Sequence, residues 1–197
     1  MHGAIAMNTN LDARLNQILP RITADEFIGN AGLGNEIGFY IFDYPPESEL
    51  AVRNYLEFIA EYLPKSRPDL RFTQVNLLAF VVSYLKVRKL YDKALDMQAK
   101  KGDQALLKAL QGTLSPEKIA QAFAEAVPPG EYDLILIAGV GSVYPILRSH
   151  NLLNNLQPLM GKTPLVIFYP GVYTGQGLKL FGRLERDNYY RAFKLVH

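Results

Sequence analysis

The chain has 197 residues, 49% hydrophobic and 20% charged, with 21 Lys plus Arg against 19 Asp plus Glu for a net charge of +2. That is enough chain for one domain with a sizeable core, and the charge balance demands neither nucleic acid nor an anionic membrane as partner. Cysteine is absent and only His150 of the three histidines is internal. This excludes disulfide scaffolds, thiolate metal sites, iron–sulfur clusters, cysteine nucleophiles and multi-histidine metal centres.

Residues 1–6, Met1-His2-Gly3-Ala4-Ile5-Ala6, lack the charged and apolar regions of a signal peptide and read as an expression remnant, with Met7 as the natural start. Residues 7–197 are expected to form a single α/β domain. Leu11, Leu15, Ile18, Leu19 and Ile22 recur at helical spacing and predict a helix over 10–20, capped by Thr9 or Asn10. A loop at 29–35 leads into a first strand at 38–44, apolar enough to be buried on both faces and stopped by Pro45-Pro46. Over 47–63, Val52, Tyr55, Leu56, Ile59 and Leu63 form the apolar stripe of a helix. Glu49, Arg53, Glu57 and Glu61, of mixed sign and four residues apart, mark its solvated face. A strand at 71–77 and a helix at 78–90 follow.

Residues 91–126 are rich in Ala, Lys, Leu and Gln and carry no strand signal, so they read as a helical insert of two or three helices. Gly102-Asp103 and Gly112 punctuate it, and Ser115-Pro116-Glu117 opens its last helix. Leu134–Ala138 is the clearest strand. Gly139-Val140-Gly141-Ser142 should turn from it into a helix over 144–157. A strand at 164–169, a glycine-rich loop at 170–177 and a C-terminal β-hairpin of strands 178–184 and 190–196 complete the chain. Strands alternating with helices in unbroken apolar runs predict a mostly parallel sheet covered on both faces. It would be Rossmann-like or P-loop-like, without a Walker A motif. No apolar run approaches the ~20 residues of a membrane-spanning helix, so a soluble cytoplasmic protein is expected.

Each catalytic pattern lacks an essential part. Gly139 and Gly141 suit either a tight turn or backbone anion binding at a helix start, but Tyr144 replaces the third glycine of the dinucleotide fingerprint. Gly161-Lys162-Thr163 resembles the end of a phosphate loop, yet Leu156 stands where the first glycine belongs and the tripeptide precedes a strand. Ser142 lacks the Gly-x-Ser-x-Gly elbow. In one continuous helix His150 would lie ~12 Å from it, which leaves the histidine bonded to a neighbour such as Asn154. Asp43 and Glu36 lie near one sheet edge and Asp133 at the opposite one, with no nuclease-type Glu-x-Lys. Asp43 reads as a turn or helix-cap carboxylate. No metal and no cofactor are expected. Lys179, Arg183, Arg186 and Arg191, with Lys194, interleave with Tyr189, Tyr190 and Phe193 and form a weak nucleic-acid candidate. Tyr169 and Tyr173 are expected in an exposed loop, as a protein-contact patch.

Three long strings carry a family resemblance: Gly34–Pro46 (GNEIGFYIFDYPP), Gly141–Leu156 (GSVYPILRSHNLLNNL) and Phe168–Phe193, which contains FYPGVY, LFGRL and NYYRAF. Together they resemble the BrxB family, a small core component of bacterial BREX (bacteriophage exclusion) systems. The resemblance implies a role in anti-phage defence, in which host DNA is marked by adenine methylation and replication of unmarked phage DNA is blocked. It implies partners: a large ATPase, a methyltransferase and PglZ, which carries an alkaline-phosphatase-like domain and would be bound directly. The family supplies no catalytic residues to carry over.

The expectation is therefore a non-catalytic adaptor. Its partner- or ligand-binding candidates, Gly141, Ser142, Tyr144, Arg148, Tyr169, Gly171, Tyr173 and Gly175, would lie at the carboxyl edge of the sheet. The alternatives are a nucleotide- or DNA-binding component, or a cryptic enzyme using the glycine loops at 139–142 and 171–177.

Overall fold

The computed structural model describes residues 2–29, 38–184, 187–189 and 191–197, and of 2–9 the backbone course alone. Most of the predicted loop at 29–35, together with Glu36, the basic candidate Arg186 and the aromatic candidate Tyr190, falls outside the described residues.

Helix α1 (His2–Ile22) and the single turn α2 (Asp25–Ile28) precede β1 (Phe39–Tyr44). After one 3₁₀ turn at Pro46–Ser48 come α3 (Glu49–Ser66), β2 (Phe72–Asn76) and α4 (Leu77–Val87). The insert supplies α5 (Tyr91–Lys101), α6 (Asp103–Thr113) and α7 (Pro116–Ala126). Then follow β3 (Leu134–Ala138), α8 (Ser149–Leu156), β4 (Leu165–Tyr173), β5 (Gly177–Leu180), β6 (Asp187–Asn188) and β7 (Phe193–Lys194). The result is mixed α/β around an open, mostly parallel sheet of seven strands. The order is β2-β3-β4-β1-β7, and β5 and β6 are attached antiparallel beyond β4.

Alternation along the strands divides the core. Ile41, Ile135, Ile137 and Ile167 face α4, α7 and α8, whereas Phe42, Leu136, Val166 and Phe168 face α1 and α3. All eight are at most 1% exposed, so removing any one side chain forfeits roughly 1.5–3 kcal/mol of transfer energy. The predicted α3 stripe holds, with Val52, Leu56, Ile59 and Leu63 buried. Asn76 closes β2 and starts α4 by accepting the Ala79 N–H at 3.1 Å.

Several expectations change. The first helix begins well before residue 10, so Thr9 and Asn10 lie inside it. Gly112 sits within α6 instead of ending it. The helix expected at 144 starts only at Ser149. Pro145 holds Tyr144 in extended backbone (ψ 140°), because a residue before proline is pushed out of the helical region. Residues 170–173 are strand, not loop. Proline and glycine suggested a break, but Pro170 stands where β4 leaves its parallel ladder with β1, and Gly171 begins the antiparallel ladder with β5. Near the C-terminus, β5 forms hairpins with β4 and with β6, while β7 crosses to the far side and pairs with β1.

Candidate functional site

The carboxyl ends of β3 and β4 open onto a cleft of about 200 Å³. Tyr144, Arg148 and Ser149 enter it from the segment after β3, Tyr169 from β4, and Leu180, Leu184 and Asp187 from the β5–β6 side. The structure thus brings together three predicted residues: Tyr144, Arg148 and Tyr169. The Tyr144 ring meets Phe181 edge-on, with centroids 6.5 Å apart.

Charge in the cleft is internally matched. Asp187 Oδ2 lies 2.8 Å from His150 Nδ1, and Asp187 Oδ1 lies 3.8 Å from Arg148 Nη1. The imidazole contact is close but off the axis of a linear hydrogen bond. His150 is therefore partnered across the cleft by Asp187, not along its helix by Asn154. Because the chain breaks at Pro145, Ser142 and His150 do not share a helix. Burial, and secondarily the nearby Asp187 charge, push the Tyr169 hydroxyl well above the ordinary tyrosine range. It stays protonated at neutral pH and well into the alkaline range.

The glycine turn uses two of its N–H groups on its own backbone. The Ser142 N–H donates to Gly139 O at 3.2 Å and the Tyr144 N–H to Gly141 O at 3.4 Å. Gly139 is glycine because φ is +71° and a Cβ would press on Asn76 at 2.8 Å. At Gly141 a Cβ would strike Phe181 and Pro170 at 2.8 and 2.9 Å. Ser142 is exposed on this turn.

Tyr169 and Tyr173 are 1% and 0% exposed, which corrects the expectation of exposed-loop aromatics. The Tyr173 hydroxyl donates to Ala192 O at 2.6 Å and fastens the C-terminal segment. Gly171 lies in β4 against the Lys179 carbonyl, and Gly175 occupies the β4–β5 turn at φ +82°. Asp43 is not a turn or cap carboxylate: it is 8% exposed and tied to α1 and β4. The basic candidates do not share one hairpin. Lys179 lies on β5, Arg183 follows it, Arg191 reaches Gln157 on the α8 side, and Lys194 lies on β7. Among the described residues no helix is long and apolar enough to cross a membrane, and no group of three or more His, Asp or Glu could hold a metal.

Sequence reading missed Asp187, His150 as its partner, and Ser149. Asp187 sits in a charged stretch that looks like any solvated turn, and only the β5–β6 pairing carries it to α8.

The open, mostly parallel sheet, with a cleft at the carboxyl ends of its strands, defines a Rossmann-like α/β protein. The family model for the BREX protein BrxB matches residues 73–195, and the chain belongs to that family. It is 41% identical over 186 residues to the BREX protein BrxB of Escherichia coli O9:H4 (strain HS), covering 94% of this chain and 92% of that one. It is 42% identical over 190 residues to the BREX protein BrxB of Bacillus cereus (strain H3081.97), covering 94% and 97%. No solved structure matches the chain.

Proposed function

We propose that the chain is a non-catalytic adaptor of a BREX phage-defence complex in the bacterial cytoplasm. It docks PglZ at the carboxyl edge of its sheet and so supports host DNA methylation and phage exclusion alongside the ATPase and the methyltransferase. The supporting observation is the charge pattern of the cleft. Asp187 is engaged by His150 and Arg148, and Tyr169 is held protonated. Groups that neutralise one another give a shaped, polar socket with a half-exposed guanidinium at its mouth, suited to a partner's side chain. Arginine of this kind is enriched among residues that anchor interfaces.

Gel filtration of the chain with PglZ tests this. Co-elution at micromolar concentration is expected, weakened by Arg148→Glu and unchanged by Lys65→Glu on α3. Separate elution of the two folded proteins overturns the proposal.

The His150–Asp187 contact favours a second reading, a cryptic enzyme or nucleotide-binding component, because a carboxylate at Nδ1 orients an imidazole for proton transfer. Calorimetry with ATP and ADP separates the two. A nucleotide signal abolished by His150→Asn supports the second reading, and no heat of binding removes it.

A further inference from the structure

The two edges of the sheet are built differently. At one, β7 is two residues long, carries Lys194 and leaves little edge to pair. Short strands and lysine are the devices that keep sheet edges from pairing. At the other, β2 presents Phe72-Thr73-Gln74-Val75-Asn76, paired with β3 along its whole length and with no strand beyond it among the described residues. It carries no charge, proline or glycine. Phe72 to Val75 are only half-buried, although Leu134 to Ile137 beside them are fully enclosed. In a strand, roughly half of the backbone N–H and C=O groups point to each side, so the outer edge of β2 is an open hydrogen-bonding template.

We infer that the outer edge of β2 pairs with β2 of a second copy of this chain, antiparallel about a two-fold axis at Gln74. The strand is complementary to itself in that arrangement. Gln74 faces Gln74 of the second copy, Thr73 faces Val75, and Phe72 faces Asn76. Each facing pair points to the same side of the joined sheet, as cross-strand neighbours must. Thr–Val is a favourable β-branched pair, the central amides can hydrogen-bond, and no like charges oppose each other. The nearest charge, Arg71, is already held by Asp133 Oδ1 at 2.6 Å and Gly130 O at 3.0 Å. A two-fold closes on itself, whereas parallel addition would leave a fresh edge on each new copy. A partner of different sequence would need side-chain complementarity that an uncharged strand supplies poorly. Five residues a side bury less than the ~800 Å² per partner of a standard interface, so a dissociation constant of roughly 10–100 µM is expected.

Sedimentation equilibrium of the full chain over a concentration series tests this, independently of the docking of PglZ. A monomer–dimer equilibrium in that range is expected. Gln74→Lys and Gln74→Glu should each be monomeric, because each sets like charges across the two-fold, and an equimolar mixture of the two should dimerise again. Far-ultraviolet circular dichroism checks that both variants remain folded. Monomer at every concentration, or a dimer indifferent to Gln74→Lys, overturns the inference. So does a failure of the mixed variants to associate, or protection of the β2 amides from hydrogen exchange only when another protein is added.

Discussion

Arg14 grips Asp43 twice: Nη2 donates to Oδ1 at 2.8 Å, and Nη1 donates to the Asp43 main-chain carbonyl at 2.8 Å. The other carboxylate oxygen accepts the Tyr173 N–H at 2.9 Å and lies 3.9 Å from Lys194 Nζ. One carboxylate thereby joins α1, the end of β1 and the far end of β4.

Removing one partner from such a pair strands a charge away from water. Arg14→Ala is expected to cost about 2–3 kcal/mol, below the range of a fully enclosed pair because 19% of the arginine side chain remains exposed. Arg14→Met combined with Asp43→Leu should cost less than the sum of the two single changes. Urea unfolding measures all three, and strict additivity would show that the two residues are not coupled.

Burial pushes the hydroxyls of Tyr44, Tyr169, Tyr173 and Tyr189 above the ordinary tyrosine value, and for Tyr44 a hydrogen bond to Glu49 adds to it. A folded value above the unfolded ~10 means that the stabilisation is complete below pH ~10. It is lost as pH rises, because the unfolded chain releases protons that the folded chain keeps. Near-ultraviolet absorbance during alkaline titration should therefore show an early step from exposed tyrosines and a late step that coincides with unfolding. A single early step that includes all tyrosines would contradict this burial.

The Arg71 guanidinium holds the Asp133 carboxyl below its usual range. The sign is the reverse of the tyrosine case. The stabilisation is present above the unfolded value of ~3.9 and fades as pH falls through the lower folded value. Carboxyl NMR titration should find Asp133 moving up towards the ordinary range in Arg71→Gln. An unchanged midpoint would mean that the contact at 2.6 Å is not maintained in solution.

Two glycines of the β4–β5 hairpin separate steric from conformational cost. At Gly171 an added Cβ would sit 2.3 Å from the Lys179 carbonyl oxygen, which cannot move without parting β4 from β5. Gly171→Ala should lose about 1–3 kcal/mol and loosen the cleft wall carried by Leu180, Leu184 and Asp187. Gly175 faces open space, and its cost is the positive φ alone, about 1 kcal/mol, with the cleft intact. Thermal unfolding with hydrogen exchange at β5 distinguishes the two, and equal behaviour would refute the distinction.

Periodicity carried most of the fold. β1, β3 and the α3 stripe are legible because burial on both faces, or on one helical face, leaves a plain apolar pattern. Misreadings came where local chemistry and tertiary pairing disagree. Pro170-Gly171 reads as a loop until Lys179 is known to lie against it, and Tyr144-Pro145 hides the delayed start of α8. Of the cleft lining, Tyr144 and Arg148 were placed by their position after β3, whereas Tyr169 was expected in an exposed loop and lies buried within β4. Asp187 was not, because nothing in a charged C-terminal stretch tells which residue will return to His150. The burial of Asp43 was equally hidden, since its partner Arg14 is 29 positions away.

The excursion between β2 and β3 has an inner and an outer part. Ile119, Ala120 and Phe123 anchor α7 in the core, whereas α5 buries no side chain and α6 only Leu110. Helices so lightly anchored form a cooperative unit that opens at a fraction of the global unfolding free energy. The α5–α6 pair is thus where amide protons should exchange first. It is also where evolution can lengthen, trim or rewrite the molecule while the sheet below stays intact.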